Sequence, residues 1–211
     1  MKKILFLLSI FMVLSFTPEM QTDIQEPIAI IALENDKEFL LNYINETTNN
    51  LAKNIRGLSE EQLQFKPTPE SWSISQCVEH IIATEIMLLD MSKANLQGPP
   101  NSERKSEVTT KDEDMITGMQ DRTQKFKAPE MLVKEGKYTD SDTALQEFME
   151  TRQNLVDLAN SVSLEDLRNH INDSRAGAID AYQSLLFIAG HCARHTLQIE
   201  EIKQAAGFPA Q

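Results

Sequence analysis

The sequence predicts an all-α fold, a bundle of four helices, and three observations support this prediction. The chain has 211 residues, of which 41% are hydrophobic, so it is long enough to bury one sizeable core. Four segments place apolar residues at helical spacing, and no segment shows the alternation that is typical of a half-buried strand. A long polar stretch separates the second segment from the third, as expected of a bundle with a crossover connection.

The first helix is predicted from about Ala32 to Arg56, and Gly57 is expected to end it. One stripe at helical spacing consists of Leu40, Ile44, Thr47, Leu51 and Ile55. Ser59 and Gln62 then have the spacing of a capping box, which predicts one short capped turn. The prolines that follow favour an extended connection, which we expect Trp72 to anchor to the core.

The second helix is predicted to begin behind Ser73, which fits a capping box with Gln76, and to fade near Asn95. From Gly98 to Asp140 the chain is polar and charged, with one modest helical pattern. We interpret this stretch as a crossover that lets the second and third helices run in the same direction. A mobile lid over a pocket is the alternative interpretation.

The third helix is predicted from about Asp142 to Asn160, and residues 163–166 suggest another capped turn. Residues 169–174 are polar and are interpreted as a turn. The fourth helix is predicted from about Gly177 to Ala206. The folded domain therefore extends over residues 32–206.

The N-terminus has the pattern of an export signal, because Lys2 and Lys3 precede an apolar run from Ile4 to Phe16. This run is short for a membrane-spanning helix, and Pro18 would block cleavage after Thr17. Residues 1–20 are therefore predicted to be a signal peptide or an uncleaved N-terminal anchor. The expected location is periplasmic or extracellular, with membrane contact only if the segment is retained.

The formal net charge of -12 disfavours nucleic acid and anionic lipid as partners. A small-molecule substrate is expected instead, and a homodimer is left open. The two cysteines, Cys77 and Cys192, are too few for a disulfide framework. We interpret them as small buried hydrophobic residues, with a bridge between helices or a thiolate metal ligand as alternatives.

A pair of histidines in the fourth helix carries the functional prediction. His191 and His195 are four residues apart, so both imidazoles lie on one face of the helix. The apolar neighbours of the pair, such as Phe187 and Ile199, indicate that this face points inward. Cys192 stands where a zinc protease of the H-E-x-x-H type carries its glutamate, which argues against that class.

His80, inside the second helix, would complete a site of three nitrogens if the two helices are neighbours. Three imidazoles with open positions are typical of a catalytic metal rather than of a closed structural one. Imidazole does not discriminate strongly between divalent cations. Zinc and nickel are favoured here, and manganese, iron and cobalt are the alternatives.

Two segments resemble the signature motifs of the DinB/YfiT superfamily. One runs from Trp72 to Gln76 and continues into His80, and the other runs from Gly190 to Ile199 with the pattern H-x-x-R-H-x-x-Q-I. The resemblance extends over about residues 32–206. It implies a four-helix bundle with an up-down-down-up course, a long crossover between the second and third helices, and a divalent metal bound by the three histidines.

The resemblance fixes the site better than the reaction, because the family includes thiol S-transferases, a maleylpyruvate isomerase and proteins described as metal-dependent hydrolases. Hydrolysis is preferred here, because the thiol cofactors known for the family are cytosolic and this chain carries an export pattern. A thiol S-transferase and a non-catalytic metal-binding or ligand-binding bundle are the alternatives.

Three further residues are candidates for a supporting role at the metal. Arg194 and Gln198 match the family pattern and are predicted to pack against or hydrogen bond to the ligands. Glu85 is a candidate for the same role or for proton transfer, and a solvated or paired carboxylate is the alternative.

Overall fold

The computed structural model of the protein describes residues 28–175 and 177–210, with side chains from residue 36 onward. The predicted export segment, residues 1–20, lies outside the described residues. Within these ranges, no helix has both the length and the apolar character that crossing a membrane requires.

The described chain is mainly helical, as the sequence predicts. The four long helices are α1 (Ile28–Ile55), α3 (Ile74–Gln97), α5 (Ser141–Ser161) and α7 (Ala181–Lys203). Three short helices connect them, namely α2 (Glu60–Gln64), α4 (Asp112–Gln120) and α6 (Leu164–Asn169). Two further 3-10 turns are Ser102–Glu107 and Glu130–Leu132.

The side-chain contacts between the long helices show how they run. Helices α1 and α7 are parallel, because Tyr182 Oη donates to Asp36 O at 2.7 Å at one end and Asn54 Nδ2 donates to Glu200 Oε1 at 3.0 Å at the other. Helices α3 and α7 are antiparallel, because the early part of α3 meets the middle of α7 and its late part meets the segment before α7.

Helix α5 runs opposite to α1 and alongside α3. Gly57 N donates to Ser141 Oγ, whereas Lys37 Nζ donates to Asn160 O at the other end of the pair. At the start of α3, Ser75 Oγ accepts from Tyr138 N, three residues before α5 begins. Further along α3, Glu85 lies against the middle of α5. The course is therefore up-down-down-up, which confirms the predicted bundle and its crossover.

The crossover is held against the bundle by α4, which packs on α7. Gln183 Nε2 donates to Asp112 Oδ1 at 3.0 Å at the start of α4. Near its end, Met119 lies so close to α7 that a Cβ added to Gly190 would be 3.2 Å from the Met119 Cβ. The absence of a side chain at Gly190 thus allows the two helices to approach.

The polar caps that the sequence predicts are present. Ser59 with Gln62 and Ser73 with Gln76 each form a complete capping box, so two helix starts have their backbone N–H groups satisfied. Ser163 caps α6 by accepting from Asp166 N at 3.0 Å.

The predicted start of the fourth long helix is wrong. Residues 171–174 and 177–180 form an antiparallel hairpin, β1 (Ile171–Ser174) and β2 (Gly177–Asp180), instead of a turn followed by helix. Asp180 is the N-cap of α7, because its carboxylate accepts from Gln183 N at 2.7 Å, so the helix begins at Ala181. Neither strand alternates apolar and polar residues, because β1 reads Ile-Asn-Asp-Ser and β2 reads Gly-Ala-Ile-Asp.

The core consists of two apolar clusters separated by a buried polar layer. One cluster includes Leu51, Ile55, Cys77, Ile81, Phe148 and Ile199. The other includes Leu40, Ile44, Leu89, Leu155, Leu185 and Ala189. Between them lie Thr47 of α1, Glu85 of α3 and Arg152 of α5, all buried. Arg152 Nε is 3.2 Å from Glu85 Oε2, and Arg152 Nη1 donates to Thr47 Oγ1 at 3.4 Å.

Both cysteines are free and fully buried. Burial raises the pKa of the Cys77 thiol to about 12 and also raises the pKa of Cys192. This agrees with their interpretation as small buried hydrophobic residues. The predicted alternative of a disulfide bridge between α3 and α7 is not realised.

Candidate metal centre

Three histidines from two helices converge at one point, and they are the three that the sequence predicts as ligands. His80 comes from α3, and His191 and His195 come from α7. One ring nitrogen of each lies within 4.8 Å of the other two, and the Nε2 atoms of His80 and His191 are 3.2 Å apart. His80 and His195 are almost completely buried, and His191 is partly buried.

The His80 ring is oriented by the crossover. Its Nδ1 is 2.8 Å from the backbone oxygen of Leu132, in the 3-10 turn Glu130–Leu132. A carbonyl oxygen can only accept, so Nδ1 carries the proton and Nε2 keeps a free lone pair. That lone pair faces the other two rings.

The His195 ring is oriented in the same way from within its own helix. Its Nδ1 is 2.9 Å from Oε1 of Gln198, one helical turn further on. An amide oxygen accepts the Nδ1 proton, which leaves Nε2 free to bind a cation. Gln198 therefore contacts a histidine of the cluster directly.

The protonation state of the cluster is set by burial. Burial lowers the pKa of His80, and it lowers the pKa of His195 to about 3 with a further contribution from the charge of His80. The pKa of His191 is well below its ordinary value, again because of burial and then because His195 and His80 lie next to it. All three rings are consequently neutral near pH 7, which is the form that binds metals.

These three residues fit a divalent cation. Two nitrogens bound to one tetrahedral zinc are about 3.3 Å apart, given the usual zinc–nitrogen bond length. The Nε2 atoms of His80 and His191 are already separated by 3.2 Å. A set of three neutral imidazoles leaves at least one coordination position open, and it suits several first-row metals.

Two aromatic rings that the sequence does not assign to the site flank the cluster. The Trp72 indole stacks on His195 with ring centroids 6.1 Å apart and meets His80 edge-on at 4.9 Å. Phe187, one turn before His191, stacks on that ring at 6.5 Å. From the sequence, Trp72 is expected only to anchor the extended connection before the second helix to the core. Its position in the family motif is a usable signal that it belongs to the site. The Leu132 carbonyl is a backbone group and leaves no trace in the sequence.

Arg194 contacts the crossover instead of the histidines. Arg194 is 6% exposed, and its guanidinium donates to the backbone oxygens of Met119, Asp121 and Gln124. These oxygens lie at the end of α4 and in the segment that follows it. Arg194 thus fastens the crossover to the helix that carries two of the three histidines.

Glu85 lies in the polar layer of the core and not against the three rings. Its nearest charged group is Arg152, and both side chains are 2% exposed. Neither carboxylate oxygen has a hydrogen-bond partner among the described residues. Burial raises the pKa of Glu85 to about 7, although the Arg152 charge opposes this shift.

The fourth histidine of the chain, His170, has a structural role and lies outside the cluster. His170 is buried, its Nδ1 is 2.8 Å from Asp166 O, and its Nε2 is 3.1 Å from Gly98 O. It ties the end of α6 to the start of the crossover. This makes His170 a useful reference for experiments on the other three histidines.

Two clefts of the described surface lie elsewhere, between α1 and α7. The larger one has a volume of about 330 Å³, and Asn54, Glu200 and Lys203 line it. These three side chains already hydrogen bond to one another or to the neighbouring backbone. The histidine cluster, with its unused nitrogen lone pairs, is therefore the better candidate for chemistry.

Comparison with known proteins agrees with this fold. The chain is 26% identical over 164 residues to YuaE, an uncharacterized protein of Bacillus subtilis strain 168, which covers 78% of this chain and 97% of the relative. The structure of this chain is similar to that of YfiT from Bacillus subtilis, with a TM-score of 0.57 and 15% sequence identity. The match covers 82% of this chain and 89% of the YfiT chain. YfiT is described as a probable metal-dependent hydrolase with an unusual four-helix bundle topology. Residues 43–199 match the sequence profile of the DinB superfamily, and the chain belongs to that family.

Proposed function

We propose that this protein is a metal-dependent hydrolase that holds a divalent cation through His80, His191 and His195. The observation that carries the proposal is the convergence of three neutral ring nitrogens, donated by two helices, around one centre. The description of the structurally similar YfiT as a probable metal-dependent hydrolase supports the same reaction class.

A divalent cation at this position would supply Lewis acidity, lowering the pKa of a water molecule and polarising a substrate carbonyl. The protein's own contribution is to fix the three rings. Leu132 O and Gln198 Oε1 hold the Nδ1 protons of two of them, so the nitrogens on the far side stay unprotonated.

The aromatic side chains would exclude water from one side of the site. Trp72 covers His80 and His195, and Phe187 covers His191. An environment with little water strengthens every electrostatic interaction with a developing charge. This arrangement favours hydrolysis of a substrate that is small enough to reach the partly exposed His191.

The test combines metal content with turnover. Purified protein is analysed for bound metal and assayed with p-nitrophenyl acetate, simple amides, and a thiol paired with an electrophile. We expect about one equivalent of metal and metal-dependent ester or amide cleavage. His195→Ala should lose both metal and activity, whereas His170→Gln should keep the metal stoichiometry of the wild type. Thiol transfer without hydrolysis, or metal without turnover of any of these substrates, would refute the proposed reaction.

We also propose that the protein acts outside the cytoplasm, because of the basic and apolar residues at its N-terminus. Cell fractionation of the full chain, next to a variant that lacks residues 2–16, tests this. The full chain is expected in the periplasm or the medium, or at the membrane if the segment is retained. Equal cytoplasmic amounts of both would contradict the proposal.

A further inference from the structure

We propose that the crossover segment Thr123–Met131, named the strap, is the substrate-recognition edge of the metal centre, and that Phe126 and Met131 select substrates with an apolar group. This inference rests on the proposed function, because it names the substrate class of the same site.

The strap is attached at both ends to residues of the metal centre. At its start, the Gln124 oxygen accepts from Arg194, which directly precedes the candidate ligand His195. Immediately after its end, the Leu132 oxygen lies 2.8 Å from Nδ1 of His80. Since Arg194 belongs to α7 and His80 to α3, the strap crosses the seam between the two helices that supply the histidines.

Between these attachments the strap is loosely held. From Lys125 to Ala128, no backbone N–H or C=O is hydrogen bonded to another residue of the described chain. The same four residues belong to no helix or strand. Such a segment has low local stability and can adjust its side chains to a ligand at small cost.

Large apolar side chains are exposed in the strap and at Val133, the residue after Leu132. Phe126 and Met131 are each 74% exposed, and Val133 is 48% exposed. Eight large hydrophobic residues of the described chain are at least 36% exposed, and three of them lie within residues 126–133. The Phe126 ring nevertheless has a contact on α7, because the Arg194 guanidinium lies 5.2 Å from its centroid. A concentration of exposed apolar surface next to a reactive centre is typical of a ligand-binding edge.

The side chains around the histidines include both hydrogen-bonded cations and aromatic rings. Arg122 forms a two-point contact with Glu201, Arg194 is bonded to three backbone oxygens, and Lys134 Nζ is 3.3 Å from Met131 O. These are the cations that act on the pKa values of His80 and His195. The rings of Trp72 and Phe187 offer apolar contact directly beside the three histidines. The surroundings therefore favour an acyl or alkyl group.

The experiment uses hydroxamic acids, which chelate a protein-bound metal whether or not the protein turns over an ester. The zinc-loaded full chain is titrated calorimetrically with acetohydroxamic acid and octanohydroxamic acid. We expect the longer compound to bind at least about tenfold more tightly, which corresponds to burying roughly two of its methylenes. In the double variant Phe126→Ser/Met131→Ser, this preference should fall to within about twofold, with acetohydroxamate binding unchanged.

Met91→Ser is the matched control, because Met91 is 57% exposed on α3 and lies outside the strap. It should keep the wild-type preference. Zinc and acetohydroxamate binding without a chain-length preference, or a preference that survives in the strap variant, overturns this inference alone. Absence of zinc binding overturns the proposed function as well. A strap variant that changes oligomeric state by light scattering, but not chain-length preference, would mark the apolar residues as a contact between copies and refute substrate recognition.

Discussion

The chemistry of the candidate centre depends on one hydrogen bond to the Nδ1 atom of each of two histidine rings. His80 and His195 each present Nε2 to the centre because Nδ1 is occupied, in one case by a backbone oxygen and in the other by Gln198. Of the three residues predicted to support the ligands, Gln198 contacts a ring. Arg194 contacts the crossover, and Glu85 contacts Arg152.

Gln198→Ala is expected to weaken metal binding by about tenfold or more, because the His195 ring loses the acceptor that fixes its tautomer. Trp72 is the only tryptophan of the chain and lies against two of the rings, so quenching of its fluorescence by nickel reports binding directly. Gln204→Ala, at the C-cap of the same helix, is the control. Equal nickel affinities for the Gln198 variant and the wild type would contradict the assigned role.

At the scale of the elements, the buried ion pair between α3 and α5 is poorly compensated by hydrogen bonds. Glu85 and Arg152 are close, yet both oxygens of the carboxylate lack hydrogen bonds within the described chain. Desolvation therefore outweighs the attraction and raises the pKa of Glu85 to about 7. Folding thus favours the protonated acid.

This shift predicts a specific pH dependence of stability. The unfolded state releases the Glu85 proton near pH 4.5 and the folded state near pH 7, so Glu85 lowers the free energy of unfolding as the pH rises through this window. Glu85→Gln lacks the titration and should match the wild type near pH 4.5. It should become relatively more stable by up to about 3 kcal/mol at pH 7.5. Urea unfolding of both proteins at several pH values measures the difference, and a constant difference would show that Glu85 does not titrate there.

A pair of glycines tests the packing of α4 on α7. An added Cβ at Gly190 would meet the Met119 Cβ, whereas at Gly118 it would meet nothing within 4 Å. Gly118→Ala should therefore raise the free energy of unfolding by about 0.5–1 kcal/mol through helix propensity. Gly190→Ala should be about 1–3 kcal/mol less stable than Gly118→Ala, because the helices must move apart. Chemical denaturation measures the free energy of unfolding of both variants. Equal increases in the two would show that α4 can shift away from α7 without loss of stability.

At the scale of the whole molecule, the sequence is sufficient to predict those structural features that a local residue pattern determines. Helical periodicity, the capping boxes at Ser59 and Ser73 and the histidine spacing in α7 are local, and the structure shows the features they predict. The hairpin before α7 escapes prediction because its strands are short and do not alternate, although Asp180 with Gln183 is a usable signal for the start of α7. The partners of His80 and Arg194 are backbone oxygens of the crossover. Tertiary packing alone brings them there.

Because the candidate ligands come from two helices that are distant in sequence, metal binding should stabilise the whole bundle. A ligand that binds only the folded state at 100 times its dissociation constant raises the free energy of unfolding by about 2.7 kcal/mol. For a domain of this size, that corresponds to an increase in melting temperature of about 5–10 °C. Calorimetry with zinc and with a chelator should show this difference for the wild type and for His170→Gln. His80→Ala should melt at the same temperature in both conditions, since removal of the α3 nitrogen leaves two ligands on a single helix. A zinc-dependent shift that persists in His80→Ala would mean that the cation binds elsewhere on the bundle.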